Sequence, residues 1–279
     1  MTAPADPVSS GDSARMRAYW DDRLRRFWGP HGSSSVGFGQ RFARWRYRVR
    51  ARVFRRVVRQ LAPDRSRLAL LSVLDVGSGT GFYLDQWRAL GVRSLSGLDV
   101  SDWAVEQLRR EHPAATFYRA DIGSEGSPLP DGAFDAATAI DVLVHLVDDA
   151  AYVRALRHLH RALKPGAYLL LSDSFVHGPA KQHEDYWKGR SLAFVTAALE
   201  AAGLEIVSRA PLSVLMSAPT DTRRRDRNER LWELAMTPVR LSEWAGWAAG
   251  ALLFPLELLL VSTLKESPAI EIMVCRKAR

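Results

Sequence analysis

At 279 residues, 47% of them hydrophobic and 25% charged, the chain can bury the core of one large α/β domain or two small ones, which excludes a wholly disordered or fibrous protein. Its formal charge of +8 comes from 39 basic against 31 acidic residues, and 34 of the 39 are arginine. An arginine-leaning coding bias accounts for that skew, so charge alone points only weakly to nucleic acid.

The first eleven residues, rich in Ala, Pro, Ser and Asp, lack the apolar centre of a signal peptide and read as a loose tail. The single cysteine, Cys275, cannot form an internal disulfide, which fits a reducing compartment and sets a cytoplasmic expectation. Asp12 to Trp28 reads as a helix, and a Gly/Ser-rich stretch, His31 to Gly39, joins it to a second helix from Arg41 to Leu61. In that second segment Ala43, Trp45, Tyr47 and Val49 alternate with arginines as in a strand. Wound at about 100° per residue, however, Phe42, Tyr47, Val53, Phe54, Val57, Val58 and Leu61 share one face, and Arg41, Arg44, Arg48, Arg52, Arg55 and Arg59 share the other. The helix accounts for the whole segment. It leaves Arg46 and Arg50 on or beside the apolar face, where a guanidinium needs an anion: a structural Asp or Glu, or a ligand carboxylate.

From Leu70 onward, short apolar runs alternate with helical patterns, the signature of a parallel sheet with crossover helices. The strands are expected at Ser72 to Val76, Ser94 to Asp99, Ala115 to Arg119, Ala133 to Ile140, Tyr168 to Asp173, Leu204 to Ala210 and Ile270 to Cys275. Helices are expected at Asp148 to Leu163, ended by Lys164-Pro165-Gly166, and at Ser191 to Ala202, stopped by Gly203. The more than fifty residues between the sixth and seventh strands exceed any ordinary connection and read as a helical insertion suited to covering a substrate. Within it, the apolar run Trp244 to Val261 approaches the length of a membrane span. Pro255 and Glu257 interrupt that run, and the strand after it must rejoin the same sheet, so an interfacial or lid helix is expected rather than a crossing. The domain reading is therefore 1–65 as tail and N-terminal helical cap, 66–211 as ligand-binding core, 212–267 as covering insertion and 268–279 as the last strand of the core.

The chemistry concentrates in Val73 to Leu84, VLDVGSGTGFYL, where a strand ends in a Gly-rich turn that opens a helix. Gly77, Gly79 and Gly81 let backbone approach a ligand and adopt dihedrals a Cβ forbids. A dinucleotide fingerprint wants Gly or Ala where Phe82 stands, which weakens a nicotinamide reading. Two acids sharpen the signal. Asp99 ends the second strand 22 residues after Gly77, placed to accept from both hydroxyls of a ribose, and Asp121 follows the third strand, placed to accept from an adenine amino group. Each acid alone suits a helix cap equally well; their order and spacing together favour binding.

On these motifs the chain resembles the class I S-adenosylmethionine (SAM)-dependent methyltransferase superfamily, over roughly residues 61 to 210 plus the last strand. The resemblance implies a Rossmann-like α/β fold: a seven-stranded, mostly parallel sheet with an antiparallel last strand beside the fifth and helices on both faces. An N-terminal helical cap and the insertion between strands six and seven would lie outside that core. It also implies that Asp75, Gly77, Ser78, Gly79 and Gly81 hold the methionine part of SAM, Asp99 the ribose, Asp121 and the Ile122 backbone the adenine, and that Val100 packs on the adenine face. S-adenosyl-L-homocysteine would be the product. Phe134 to His145 is similar to the superfamily's fourth strand and its loop, and Leu163 to Gly166 to its turn into the fifth.

Methyl transfer from a sulfonium asks the protein to align reactants and remove one proton. Bases are sought past strands four and five, where Asp141, His145, Asp173 and His177 stand. His145 leads, because a neutral imidazole can deprotonate a hydroxyl; capping the next helix is its alternative, and Asp141 can instead meet the methionine amino group. Asp173, His177, Tyr186 and Arg190 are candidates for the acceptor side. The His and Asp spacing matches no recognisable metal site, so no metal is expected, and His158, His160 and His183 read as solvated. The resulting expectation is an O-methyltransferase for a small molecule, such as a natural product, a glycan or a lipid-linked metabolite, with peripheral membrane contact allowed by the apolar run. A nucleic-acid methyltransferase is the weaker reading. Ile140-Asp141-Val142-Leu143 stands where adenine-N6 enzymes of the superfamily carry an Asn/Asp-Pro-Pro-aromatic turn. A SAM-binding protein without catalysis is the third.

Overall fold

The computed structural model describes residues 10–33, 36–62, 64–183 and 186–278. The expected tail lies outside these through residue 9. Two helices lead the chain, α1 (Ser10–Arg26) and α2 (Gly39–Leu61), followed by the short α3 (Arg65–Leu68). The central portion alternates as β1 (Ser72–Val76), α4 (Phe82–Leu90), β2 (Ser94–Asp99), α5 (Asp102–Glu111), β3 (Thr116–Arg119), β4 (Phe134–Ala139), α6 (Asp149–Ala162) and β5 (Leu163–Asp173). After β5 come a small hairpin, β6 (Lys181–His183) and β7 (Trp187–Gly189), then α7 (Leu192–Ala201), β8 (Leu204–Ser213), α8 (Arg225–Leu241), α9 (Glu243–Thr263) and β9 (Ile270–Lys277).

Seven strands form one sheet in the order β3-β2-β1-β4-β5-β9-β8. Its first five are parallel, as crossover helices require, and β9 slots antiparallel between β5 and β8. This is the expected Rossmann-like sheet with its reversed last strand. Reversal of strand order at β1/β4 opens a crevice over the carboxyl ends of those strands, where open α/β sheets take their ligands. Apolar side chains fill both faces: Val73, Leu84, Trp87 and Phe54 on one side, Leu74, Tyr152, Leu156 and Leu169 on the other.

The α2 segment is helical throughout, with Phe42, Tyr47, Val53, Phe54, Val57 and Val58 buried as its periodicity predicts. Its start is tied down from afar, because the Glu243 carboxylate accepts the N–H groups of Gln40 and Arg41, each at 2.8 Å. The insertion is a pair of helices, α8 and α9. By length and composition α9 suffices to cross a membrane, yet Glu257 at its middle is fully buried. That carboxylate accepts Ser213 Oγ–H at 2.9 Å and the N–H groups of Val214 and Leu215 at 2.7 Å each, which fastens the helix to the end of β8.

Some local expectations change. β8 runs to Ser213 rather than Ala210, bridging two irregularities in its pairing with β9. His158 is buried, with Nδ1 3.0 Å from the Ile122 carbonyl, so it supports the loop after β3 instead of facing solvent, and His160 is half-buried. The side chain of His183 lies outside the described residues.

Candidate functional site

The carboxyl ends of β1, β2, β3 and β4 open on a cavity of about 590 Å³, a size typical of small-molecule sites. At its floor the chain leaving β1 bends sharply, with the N–H groups of Gly77 and Ser78 both donating to the Leu98 carbonyl at 2.7 and 3.1 Å. Gly77 has φ +64, and a Cβ there would sit 2.3 Å from Val142 Cγ2. The bend therefore demands glycine on two counts, conformation and space. Gly79 is also left-handed at φ +51, and its N–H donates to Asp99 Oδ2 at 2.7 Å.

Asp99 is held from the other side by the Ser101 N–H, 2.9 Å from Oδ1. Burial pushes its carboxyl above the ordinary range, and these backbone donors only partly counter that. Each oxygen of a carboxylate can accept more than one hydrogen bond, so the fixed group keeps acceptor capacity at the cavity wall. Asp121 lines the cavity too, its Oδ1 accepting the Gly123 N–H at 2.8 Å. Val100 and Ile122 add apolar wall between the two acids. Asp75 is placed differently. It lies buried beneath the turn, outside the cavity lining, accepting Thr138 Oγ1–H at 2.5 Å, and burial raises its carboxyl to about 7. Gly81 is likewise structural, opening α4 with φ +79.

The roof comes from the N-terminal helices. Arg50 on α2, 4% exposed, pairs with Asp141 just past β4. Asp141 adopts φ +58, and Ser172 Oγ both accepts its N–H and donates to its Oδ1, each at 2.8 Å. Burial pushes this carboxyl up, but Arg50 and then Ser172 more than offset it, leaving Asp141 below the ordinary range. A carboxylate so held is a poor proton acceptor, which argues for Asp141 as a charged wall of the cavity rather than as a base. Arg46 is half-buried in the same region, with Nη2 3.3 Å from Ser217 Oγ, and desolvation lowers its pKa to about 10.

His145 lines the cavity with Nδ1 2.8 Å from the Tyr186 carbonyl. A carbonyl only accepts, so Nδ1 carries the proton and Nε2 is the basic nitrogen. Desolvation lowers the imidazole pKa, so the ring is neutral at pH 7. Trp20 meets the His145 ring edge-on at 5.1 Å, and Tyr19 stacks on Tyr186 at 6.4 Å. These α1 aromatics, with Met16 and Leu24, close the cavity. Sequence reasoning missed them; a Tyr-Trp pair inside an otherwise charged helix was the available signal. The helix is pinned by Asp21, which accepts Ser101 Oγ–H and, at 3.0 Å, the Trp103 N–H.

Three expected acceptor residues lie elsewhere. Asp173 is buried below the cavity with its carboxyl raised to about 7 by burial, and Oδ1 accepts the Ser174 N–H at 2.6 Å. Arg190 is 1% exposed and donates to Asp149 Oδ1 at 2.9 Å and to the Leu146 carbonyl at 2.6 Å, so it braces the loop that follows His145. His177 is on the surface, Nδ1 2.7 Å from Asp221 Oδ2, beside a separate concavity lined by Arg223 to Arg227. Past β5, Phe175 and Val176 are each 1% exposed, and the chain then reaches the surface at His177.

A bare glycine turn, two flanking carboxylates on adjacent strand ends and a walled apolar chamber define a nucleoside-binding α/β protein. Residues 73–166 match the methyltransferase domain family. Malonyl-[acyl-carrier protein] O-methyltransferase of Erwinia pyrifoliae is 33% identical over 123 residues, 43% of this chain and 44% of that protein. Ubiquinone biosynthesis O-methyltransferase of Pseudomonas paraeruginosa is 34% identical over 112 residues, 39% and 47% of the two chains. The matched stretch thus spans a little under half the length of these relatives. The solved 1,6-didemethyltoxoflavin-N1-methyltransferase of Burkholderia thailandensis shares the fold at 15% identity, with TM-score 0.52 over 99% of this chain and 95% of that one. The stretch 73–166 and the sheet around it thus resemble the class I SAM-dependent methyltransferases, whose cofactor is SAM.

Proposed function

We propose that this protein transfers the methyl group of SAM to a hydroxyl of a small-molecule acceptor, a natural product, glycan or lipid-linked metabolite. The residues present fit the cofactor. The turn at Gly77 and Gly79 leaves backbone bare where a Cβ would intrude, and Asp99 and Asp121 present oriented carboxylates for ribose and adenine. Val100 and Ile122 supply the apolar contact between them. Asp141, kept ionised by Arg50, suits the ammonium of the methionine part. Bound in this cavity, SAM supplies a methyl group on a positively charged sulfur.

His145 carries the reading. With its Nδ1 proton committed to the Tyr186 carbonyl, Nε2 is free to take the hydroxyl proton as the acceptor oxygen attacks. The α1 aromatics exclude water and orient the acceptor beside that nitrogen. The two O-methyltransferase relatives support an oxygen acceptor. Incubating the protein with labelled SAM and a host metabolite extract tests transfer directly. His145→Ala should lower the rate about 10²-fold with SAM affinity unchanged. An unchanged rate would strip His145 of this role, and binding without any labelled product would replace the reading with that of a non-catalytic SAM-binding protein.

A further inference from the structure

We propose that α9, with the arginine row of α2 beside it, seats the protein on the surface of an anionic lipid bilayer; this rests on the outer face of the molecule and not on the methyl-transfer reading. Covered positions of α9, Gly246, Gly250, Glu257 and Val261, fall on one side. Gly250 permits close packing there, since a Cβ would lie 2.1 Å from Trp45 Cδ1 of α2. On the opposite side Trp244, Trp247, Leu252, Leu256 and Leu259 recur at helical spacing and stand 69, 50, 78, 46 and 56% exposed. Between Glu243 and Lys265 the only charged residue is the buried Glu257, so the exposed stripe is uncharged over its length, roughly 20 Å at the helical rise. A helix apolar on every side is ordinarily enclosed by protein or by lipid. Here the protein encloses only one side.

Charge selects the occupant. α2 holds nine arginines and no acidic residue. Arg41 lies over the Trp244 ring at 3.8 Å, Arg52 over Phe254 at 4.8 Å and Arg48 over Trp45 at 4.5 Å. Arg44, Arg48 and Arg52 are exposed. Guanidinium groups therefore border the apolar stripe where lipid phosphates would meet them once leucines and tryptophans enter the headgroup boundary. A second copy docking through the same stripe would cover the leucines but leave the arginine row without anions. The helix lies on the bilayer and does not cross it, because crossing would strip Ser213, Val214 and Leu215 of the Glu257 carboxylate.

Flotation of the full chain with phosphatidylcholine vesicles, with and without roughly one-third phosphatidylglycerol, tests this. The protein should float with the anionic vesicles and detach from them in high salt. Leu252→Glu with Leu259→Glu should abolish flotation without lowering the unfolding temperature, both side chains being exposed. Arg44→Glu with Arg48→Glu should weaken it about thirtyfold or more. Protein left in the soluble fraction with anionic vesicles would overturn the proposal. So would light scattering that shows a dimer which Leu252→Glu converts to monomer, since the face would then join two copies of the chain.

Discussion

Around the cavity floor, hydrogen bonds join near neighbours: Ser78 to Asp75, three residues apart, Asp121 to Gly123, two apart, and Gly79 to Asp99, 20 apart. The cover is fastened across the chain, with Asp21 reaching Ser101 over 80 residues, Arg50 reaching Asp141 over 91 and Glu243 reaching Gln40 over 203. The floor is a local motif on strand ends, rigid by backbone geometry. Carboxylates hold the cover instead, from the half-buried Asp21 and Asp141 to the exposed Glu243, each accepting from donors far away in the chain. Damage to the floor should therefore weaken ligand binding most directly, whereas damage to the cover should weaken the fold first.

The sharpest break falls on the cover. Glu257→Leu leaves one hydroxyl and two backbone N–H groups buried without their acceptor, and should cost about 3–5 kcal/mol in denaturant unfolding; a loss under ~1 kcal/mol would mean that α9 is not anchored there. Arg50→Met strands Asp141, whose side chain is 34% exposed, so solvent should limit the loss to about 2 kcal/mol. Since Asp141 is held below its ordinary value of 3.8, the pair stabilises the fold fully above that pH and fades as acid protonates the carboxylate through its lowered pKa. The variant should lose that acid dependence. For His145, activity should fall only as pH drops through a pKa below 6.5, because desolvation keeps the ring neutral; an acid limb above 6.5 in the rate profile would contradict the assignment. Asp21→Ala should have the smallest effect, about 1 kcal/mol of stability, with faster release of bound S-adenosyl-L-homocysteine as α1 loosens.

The same contrast explains what could be read from the sequence. The seven strands and the glycine turn announce themselves through apolar runs and local turn chemistry, whereas the antiparallel last strand was implied only by the resemblance to the methyltransferase superfamily. Phe117 to Asp121 needs no distant partner to be recognised. The need of Arg50 for an anion was legible, but Asp141 was one of several acids able to meet it. Tyr19 and Trp20 stood out only as an aromatic pair in a charged helix, and nothing near them in the sequence says that α1 folds over the cavity, where Asp21 helps to hold it. The β6–β7 hairpin is too short and polar to show a period. Asp173, His177 and Arg190 looked well placed because they stand at or after a strand end; the left-handed backbone of Phe175, φ +40, could not be read from its neighbours.

Calorimetric titration of the full chain with S-adenosyl-L-homocysteine tests most directly whether the strand ends grip the cofactor. Wild type should bind with a single site per chain. Asp99→Ala should bind about 30-fold more weakly, roughly 2 kcal/mol, with a lower unfolding temperature as well, since the Gly79 and Ser101 N–H groups lose their acceptor. No heat from the wild type, or an affinity untouched by Asp99→Ala, would contradict the account.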